Sequence, residues 1–260
     1  MSYNKKLQTN YSLSNIRCIK QFWIIIFLLL VPVFLSGQKT QNKYDAYKPH
    51  WIVSVGGGPS VAYTDVKQKA FLPVSIPKNE WKFNANLVLN REIHPLLKVR
   101  GQLIYSALSG VNEQMDKYFN TELYETNLTA SVNLKNIFIP YNRNQLFYFS
   151  AFTGFGLCFF NTDLHRLSDD YLISLRGHGA GSGIGGRALE GLFIFGFEAE
   201  YKLNYNWGIW FEASDRWMKS DQLEIETAGF PYDSYAITSL GISFKFAHKP
   251  SGYPMVEEPF

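Results

Sequence analysis

Residues 191–218 read GLFIFGFEAEYKLNYNWGIWFEASDRWM, and the alternation in this stretch decides the fold. In each half, every second residue is mostly aromatic or aliphatic, while the residues between them include the charged ones. The residues at 204–206, Asn-Tyr-Asn, separate the two halves. A period of two over far more than five or six residues predicts a long β-hairpin. Since water is a poor solvent for an unbroken row of aromatic side chains, we expect that face to contact lipid and the charged face to line a closed barrel.

The composition agrees with a membrane β-barrel. Aromatic residues make up 17% of the chain and hydrophobic residues 46%, yet the mean hydropathy is only −0.13. This combination is typical of strands in which only alternate residues face lipid. A helical membrane protein would need several apolar runs of about 20 residues, and none follows residue 35.

The segment 1–37 has the pattern of a secretory signal peptide. An apolar run at 22–35 follows several basic residues and precedes Ser36 and Gly37. This order predicts export, with cleavage after Gly37. The alternative is an uncleaved helical anchor, but the run is short for a full span and contains Pro32.

The charge of the exported chain gives no sign of a nucleic-acid partner. The whole sequence has a formal charge of +3, but four of its Lys and Arg residues belong to the segment 1–37, which has no acidic residue. The apparent excess of base is therefore a property of the export signal. Cys158 is the one cysteine beyond that segment, and its place in an apolar strand pattern indicates a small hydrophobic residue rather than a nucleophile.

The alternation predicts eight strands in a barrel at 50–247. They are expected at 50–63, 80–91, 96–108, 121–134, 145–160, 191–203, 207–218 and 232–247. The connections after the odd-numbered strands are long (64–79, 109–120, 161–187 and 219–231), and those after the second, fourth and sixth strands are shorter. Outer-membrane barrels have long external loops, short periplasmic turns and periplasmic termini. We therefore expect a periplasmic lead-in at 38–49 and a periplasmic tail at 248–260, with ten strands as an alternative if part of 161–187 pairs.

Inward-facing charges are the first candidate site. The predicted lumen network consists of Lys82, Lys98, Arg100, Glu125, Glu198, Glu200, Lys202, Glu212, Arg216 and Lys245. If the hairpin is symmetric about Tyr205, Glu198 lies opposite Glu212, and Arg100 or Arg216 could bridge the two carboxylates. An eight-stranded barrel is just wide enough for side chains to fill it, which favours a structural, salt-bridged plug over an ion path or a paired-carboxylate site.

The loop 161–187 is the second candidate. Its side chains of catalytic type are Asp163, His165, Ser168, Asp169, Asp170 and His178. Their spacing matches no nucleophile–base arrangement, so a charged, flexible surface loop is the favoured interpretation. The stretch 181–186 fits GxGxxG but lacks the flanking strand and helix of a nucleotide site, and we interpret it as a flexible tether. The glycines at 56–58 are expected to leave space for neighbouring side chains in the barrel wall. The five histidines have no metal-ligand spacing.

The eight alternating strands, the signal peptide and the final strand GISFKF (residues 241–246) resemble the small OmpA/OmpX-type outer-membrane β-barrel family, in a Bacteroidetes-like version. This resemblance implies an integral protein of the cell outer membrane of Gram-negative bacteria. Family members include adhesins, structural anchors, narrow pores and lipid-modifying enzymes, so the resemblance transfers no catalytic residue. The tail 248–260 departs from the pattern, because such chains often end at the aromatic-rich last strand.

We therefore predict a non-enzymatic, structural or interaction role in envelope anchoring, adhesion or an outer-membrane assembly, exerted through the external loops or the tail. Expected partners are outer-membrane lipid and lipopolysaccharide, and other envelope proteins through 161–187 or 248–260. No catalytic, cofactor or metal site is predicted. One alternative is a narrow porin-like channel, and a second is a lipid- or peptide-hydrolysing barrel that uses the 161–187 loop.

Overall fold

The computed structural model describes residues 50–64, 80–139, 145–218, 223, 225 and 232–246. The predicted signal peptide at 1–37, the lead-in at 38–49 and the tail at 248–260 lie outside the described residues.

The described residues form nine strands and a short helix. They are β1 (His50–Tyr63), β2 (Lys82–His94), β3 (Leu97–Asn112), β4 (Lys117–Asn133), α1 (Leu134–Phe138), β5 (Phe147–Arg166), β6 (Leu172–Arg176), β7 (Ala188–Lys202), β8 (Trp207–Met218) and β9 (Ser234–Phe246), with a 3₁₀ turn at Ile184–Gly186.

All strands except β6 form one closed antiparallel ring. Each pairs with its neighbour in the chain, β5 pairs with β7, and β1 pairs with β9, where Trp51 lies opposite Phe246. The predicted eight-stranded antiparallel up-and-down barrel is confirmed. Part of the 161–187 loop does pair, as β6, but it joins only β5 and leaves the ring at eight strands.

The two faces of the wall differ as the alternation requires. Along β4, for example, Glu125, Asn127 and Thr129 are buried inside, while Tyr124 and Leu128 are exposed outside. We call the exposed outer apolar side chains the lipid belt; its members include Val55, Leu87, Leu103, Leu128, Phe147, Phe155, Phe193, Phe211 and Leu240. No helix among the described residues is long and apolar enough to cross a membrane.

The apolar outer surface and the closed ring determine where the protein resides. Lipid supplies no hydrogen-bond partners, so a sheet can cross a membrane only when its strands close into a ring. Such single-chain barrels with an apolar outer belt are the integral proteins of outer membranes. The predicted location in the outer membrane follows from this architecture.

Several strands are longer than predicted. The expected loop at 109–120 is strand except for the turn at 113–116, and β5 continues to Arg166. The cause is burial: Phe119 and Leu164 are almost fully buried and continue the inward-facing rows of β4 and β5. The outward-facing residues beside them are mostly polar, so the sequence shows no apolar outer row at these strand ends. The predicted fourth strand ends one residue too late, because the helix α1 begins at Leu134 and occupies the start of the connection predicted at 135–144.

The lumen is filled by two layers of side chains. Towards the end that holds the 113–116 turn, the filling is an apolar cluster that includes Leu108, Leu123, Phe160, Leu192 and Met218. Towards the end that holds the termini of the ring, it is polar and charged.

Two glycines of the wall make room for one large lumen side chain. Gly56, Gly241 and Trp210 lie side by side on three adjacent strands. A Cβ atom on Gly56 would lie 2.9 Å from the Trp210 ring, and one on Gly241 would lie 2.8 Å from Trp210 Nε1. The predicted spacing role is therefore confirmed for Gly56.

Candidate functional site

Arg100 lies at the centre of the charged layer, between two opposed glutamates. Glu198 and Glu212 face each other across β7 and β8, as hairpin symmetry about Tyr205 predicts. Arg100 Nη2 lies 2.5 Å from Glu212 Oε2, and Arg100 Nε lies 3.3 Å from Glu198 Oε2. The guanidinium also lies 3.9 Å from the centre of the Phe152 ring. One buried cation thus offsets the repulsion that two opposed carboxylates would otherwise exert across the ladder.

Arg216 forms the second centre of the layer. Its Nε donates to Glu125 Oε2 at 2.7 Å, and its Nη1 donates to Ser214 Oγ at 2.7 Å. Ser214 Oγ in turn donates to Glu212 Oε1 at 2.8 Å, which links the two centres. The Tyr235 hydroxyl also donates to Glu125 Oε2, at 2.8 Å.

Lys98 extends the layer towards the end where the strand termini lie. Its ammonium group pairs with Glu198. Three cations therefore face three carboxylates, and each carboxylate contacts at least one cation; the six are Lys98, Arg100, Arg216, Glu125, Glu198 and Glu212. All six side chains are nearly or fully buried. Buried charges are tolerated when they are paired and hydrogen-bonded. Each of the six side chains has an oppositely charged partner, while Arg100 Nε and Nη1 and Arg216 Nη2 make no hydrogen bond with the described residues.

The other predicted network residues lie further from this centre. Glu200 accepts a hydrogen bond from Ser243 Oγ at 2.8 Å, and Lys245 Nζ lies 3.8 Å from Glu92 Oε2. Lys202 Nζ lies 5.7 Å from the centre of the Tyr205 ring, beside the β7–β8 turn. Lys82 begins β2 at the opposite end of the barrel, where it pairs with Ser60 across the ladder.

Several neutral members of the layer were absent from the sequence-based prediction. Gln102 Nε2 lies within hydrogen-bonding reach of Glu212, and Asn127 Nδ2 donates to both Gln102 and Glu125. Both lie at inward-facing positions of the period-two pattern, so the signal that places them in the lumen is polarity at alternate positions rather than charge.

The catalytic-type residues of 161–187 form two separate pairs. His165 Nδ1 lies 3.4 Å from Asp170, and His178 Nε2 lies 2.6 Å from Asp163. Ser168 Oγ donates to Asp116 at 2.7 Å. The stretch 181–186 forms part of a hydrogen-bonded turn, in which the backbone N–H groups of Gly179 and Gly181 donate to the Gly186 carbonyl. It therefore has a defined backbone path, in contrast to the flexible tether that the sequence predicted. No group of three or more potential metal ligands occurs in the described part of the chain.

Three strands of the ring, β3, β4 and β5, continue past the described pairing of their neighbours at the end that holds the 113–116 turn, and β6 pairs with β5 there. We call this extension the outer sheet; it comprises residues 107–112, 117–122, 161–166 and 172–176. Pairing of β2 with β3 ends at Ser106, and pairing of β5 with β7 ends at Phe160. Six further residues correspond to about 20 Å along the strand.

The outer sheet is tied together at its tip. The backbone N–H of Leu167 donates to the Asp116 carbonyl at 3.0 Å, which joins the β5–β6 turn to the β3–β4 turn. The Tyr118 and His165 rings stack at 5.1 Å, and the Tyr118 hydroxyl donates to Asp170. This bond to a carboxylate, outside the membrane-spanning part, raises the pKa of Tyr118 to about 12, so the phenol stays a donor at neutral pH.

One edge of the outer sheet has no backbone partner within the described part of the chain. β6 pairs with β5 along one side, and no backbone hydrogen bond joins its other side to the described residues. Its side chains Leu172, Ile173 and Leu175 are 41%, 39% and 51% exposed. Proteins usually protect such an edge with charges, prolines or a covering loop.

No known family model matches the chain, and no curated protein matches it. Among solved structures, Ail, the attachment invasion locus protein of Yersinia pestis, has 13% identity and a TM-score of 0.44, over 77% of this chain and 100% of Ail. Neisserial surface protein A has 9% identity and a TM-score of 0.41, over 77% of this chain and 100% of that one. OprG from Pseudomonas aeruginosa has 13% identity and a TM-score of 0.36, over 77% and 97%.

Proposed function

We propose that this outer-membrane barrel is an interaction protein, and that its outer sheet binds an extended segment of an extracellular polypeptide along the edge of β6 that does not pair with β5. The observation that carries the proposal is a strand edge with no backbone partner among the described residues, combined with the exposed apolar side chains Ile173 and Leu175. In strand addition, main-chain hydrogen bonds supply affinity and contacts with alternate side chains supply specificity.

The hydrogen bonds at the tip of the outer sheet support this proposal. A surface that is already ordered loses little conformational entropy when a partner binds. The bonds of Asp116, Tyr118 and Ser168 hold the β5–β6 hairpin against β4 before any partner arrives. The inner face of the outer sheet is also supported, since Thr162 Oγ1 donates to the Leu223 carbonyl at 2.8 Å.

Replacing Leu175 with lysine tests the strand-addition proposal. Barrels in nanodiscs are screened against a random peptide library displayed on phage. We expect enriched peptides with alternating apolar residues, whose affinity falls at least tenfold with Leu175→Lys, because lysine on an edge strand opposes pairing. Enriched peptides should also acquire protected amide hydrogens on binding.

Ile184→Lys is the matched control for this test. Ile184 is 75% exposed and belongs to the same connection, but it lies in the 3₁₀ turn and outside β6. Peptides that bind both variants as well as the unchanged protein, or whose binding is lost equally with both, contradict the proposal.

We also propose that the charged layer is a structural plug and that the barrel is no open channel. Paired charges and the large side chains of Phe152 and Trp210 fill the lumen in support of this. The unchanged protein in a planar bilayer should therefore give no sustained open conductance level. A stable open level in most insertions would favour the channel alternative.

The remaining proposals concern class, activity and partners. We propose a member of the OmpA/OmpX type, of Bacteroidetes-like origin, without enzymatic activity and in contact with lipopolysaccharide. The separation of His165 and His178 into two pairs supports the absence of a hydrolytic site. If the purified protein cleaves lipid or peptide and loses this activity with His178→Ala, the proposed absence of enzymatic activity is contradicted.

A further inference from the structure

The connection between β4 and β5 carries an apolar helix at the end where periplasmic turns lie. Periplasmic connections of outer-membrane barrels are usually short, and the β2–β3 turn at the same end takes only two residues, Pro95 and Leu96. Here β4 continues directly into α1. Three consecutive side chains, Ile137, Phe138 and Ile139, are 49%, 82% and 54% exposed.

α1 is held in a defined position despite its shortness. The Asn133 side chain caps it by accepting from the backbone N–H of Asn136 at 3.2 Å. The buried Asn136 side chain donates to the Pro95 carbonyl at 2.8 Å, which fixes the helix to the β2–β3 turn. The exposed apolar residues are therefore displayed on an anchored element.

The helix adjoins the edge of the lipid belt. Lys135 Nζ donates to the Phe147 carbonyl at 3.3 Å, so α1 lies beside the first residue of β5. Phe147 belongs to the belt, and Tyr201, its cross-strand partner, is 48% exposed. The apolar residues of α1 thus continue a surface that already contacts lipid.

The charge of α1 also favours lipid over a protein partner. Lys135 is the one charged residue of the helix. A cation next to apolar side chains is the composition of elements that lie in a membrane interface, where ammonium groups reach lipid phosphates. On the outer wall at the same end, the Arg91 guanidinium lies 5.0 Å from the Trp51 ring centre, a second cation beside an exposed aromatic.

We propose that α1 is an interfacial foot: Ile137, Phe138 and Ile139 enter the headgroup–acyl boundary of the periplasmic leaflet, and Lys135 contacts lipid phosphate. The foot fixes the depth of the barrel in the membrane. This inference is independent of the role proposed for the outer sheet.

A nitroxide at position 138 measures the depth of the foot. Phe138→Cys is labelled in a Cys18→Ser chain and reconstituted in vesicles of phosphatidylethanolamine and phosphatidylglycerol; Cys158 is fully buried and stays unlabelled. Apolar oxygen and a water-soluble nickel chelate then compete for the label. We expect an oxygen-to-nickel accessibility ratio several-fold above that of a label at Gln114, in the β3–β4 turn, and nearer to that of a label at Leu128, in the belt.

Two outcomes overturn the foot. A ratio equal to that at Gln114 places the side chain in water, and exclusion of both reagents means that it packs against protein. Ile139→Cys provides a second position if the Phe138 variant does not fold. Changing the vesicles to phosphatidylcholine alone should lower the oxygen-to-nickel ratio by less than the substitution Lys135→Glu does. The reason is that phosphatidylcholine, like the other two lipids, carries a phosphate group.

Discussion

Arg100→Met is expected to lower the free energy of unfolding by about 3–5 kcal/mol, the largest effect of any single substitution in the charged layer. Methionine retains much of the side-chain volume but removes the cation between Glu198 and Glu212. These two carboxylates would then face each other across the ladder, buried and short of a positive charge. Guanidinium unfolding of the barrel in lipid vesicles measures the loss.

Two further variants make the Arg100 test specific. Adding Glu212→Gln to Arg100→Met removes one of the opposed charges and should restore part of the loss, which a double-mutant cycle reports as a coupling. Arg91→Met is the matched control, because Arg91 lies on the outer wall and its contact with Trp51 contributes only about 0.5–1 kcal/mol. Equal losses for Arg91→Met and Arg100→Met would show that the buried position of Arg100 carries no special weight.

Gly241→Ala should be nearly as damaging, with an expected loss of about 3 kcal/mol or more, at the upper end of overpacking costs. The added methyl group would collide with the Val55 carbonyl and the Gly56 Cα, both of which belong to backbone and move only with the strand. The same methyl group would also meet the buried Trp210 indole, so neither side can yield cheaply. The measurement is again the free energy of unfolding in vesicles.

Gly101→Ala provides the control for Gly241. A Cβ atom there meets nothing within 4 Å, because Gly101 faces outward from β3. We expect no loss, or a gain of up to about 1 kcal/mol from reduced freedom of the unfolded chain. Similar values for the two alanine variants would refute the crowding explanation.

The period-two pattern predicted the barrel and the direction of its side chains because both follow from a local rule. Glu125 and Leu128, for example, could be assigned to opposite faces from their positions in the chain alone. Strand ends were predicted less well. The end of β5 at Arg166 depends on pairing with β4 and β6. In addition, polar residues such as Asn161 and Asp163 replace the outward apolar residues by which a membrane-spanning strand is recognised.

The charged layer was predictable as a set but not as a list of partners. Opposition of Glu198 and Glu212 followed from the symmetry of one hairpin, since no distant strand is involved. Which of Arg100 and Arg216 bridges them depends on the stagger of all eight strands, which sequence alone does not encode locally. The structure uses Arg100 as the bridge and gives Arg216 mainly to Glu125.

The pairing of β1 with β9 has a consequence for the order of assembly. The two strands that complete the ring lie at opposite ends of the described barrel sequence, so this contact is the most non-local in the fold. Non-local contacts contribute stabilising free energy only after the entropy of closing a long loop has been lost, and they are therefore slow to form. Until β9 arrives, β1 and β8 each keep an unpaired edge that neighbouring chains could join. β9 must therefore be synthesised and transported before the ring can close, and a chaperone that shields open edges during that delay would have β1 and β8 as its natural targets.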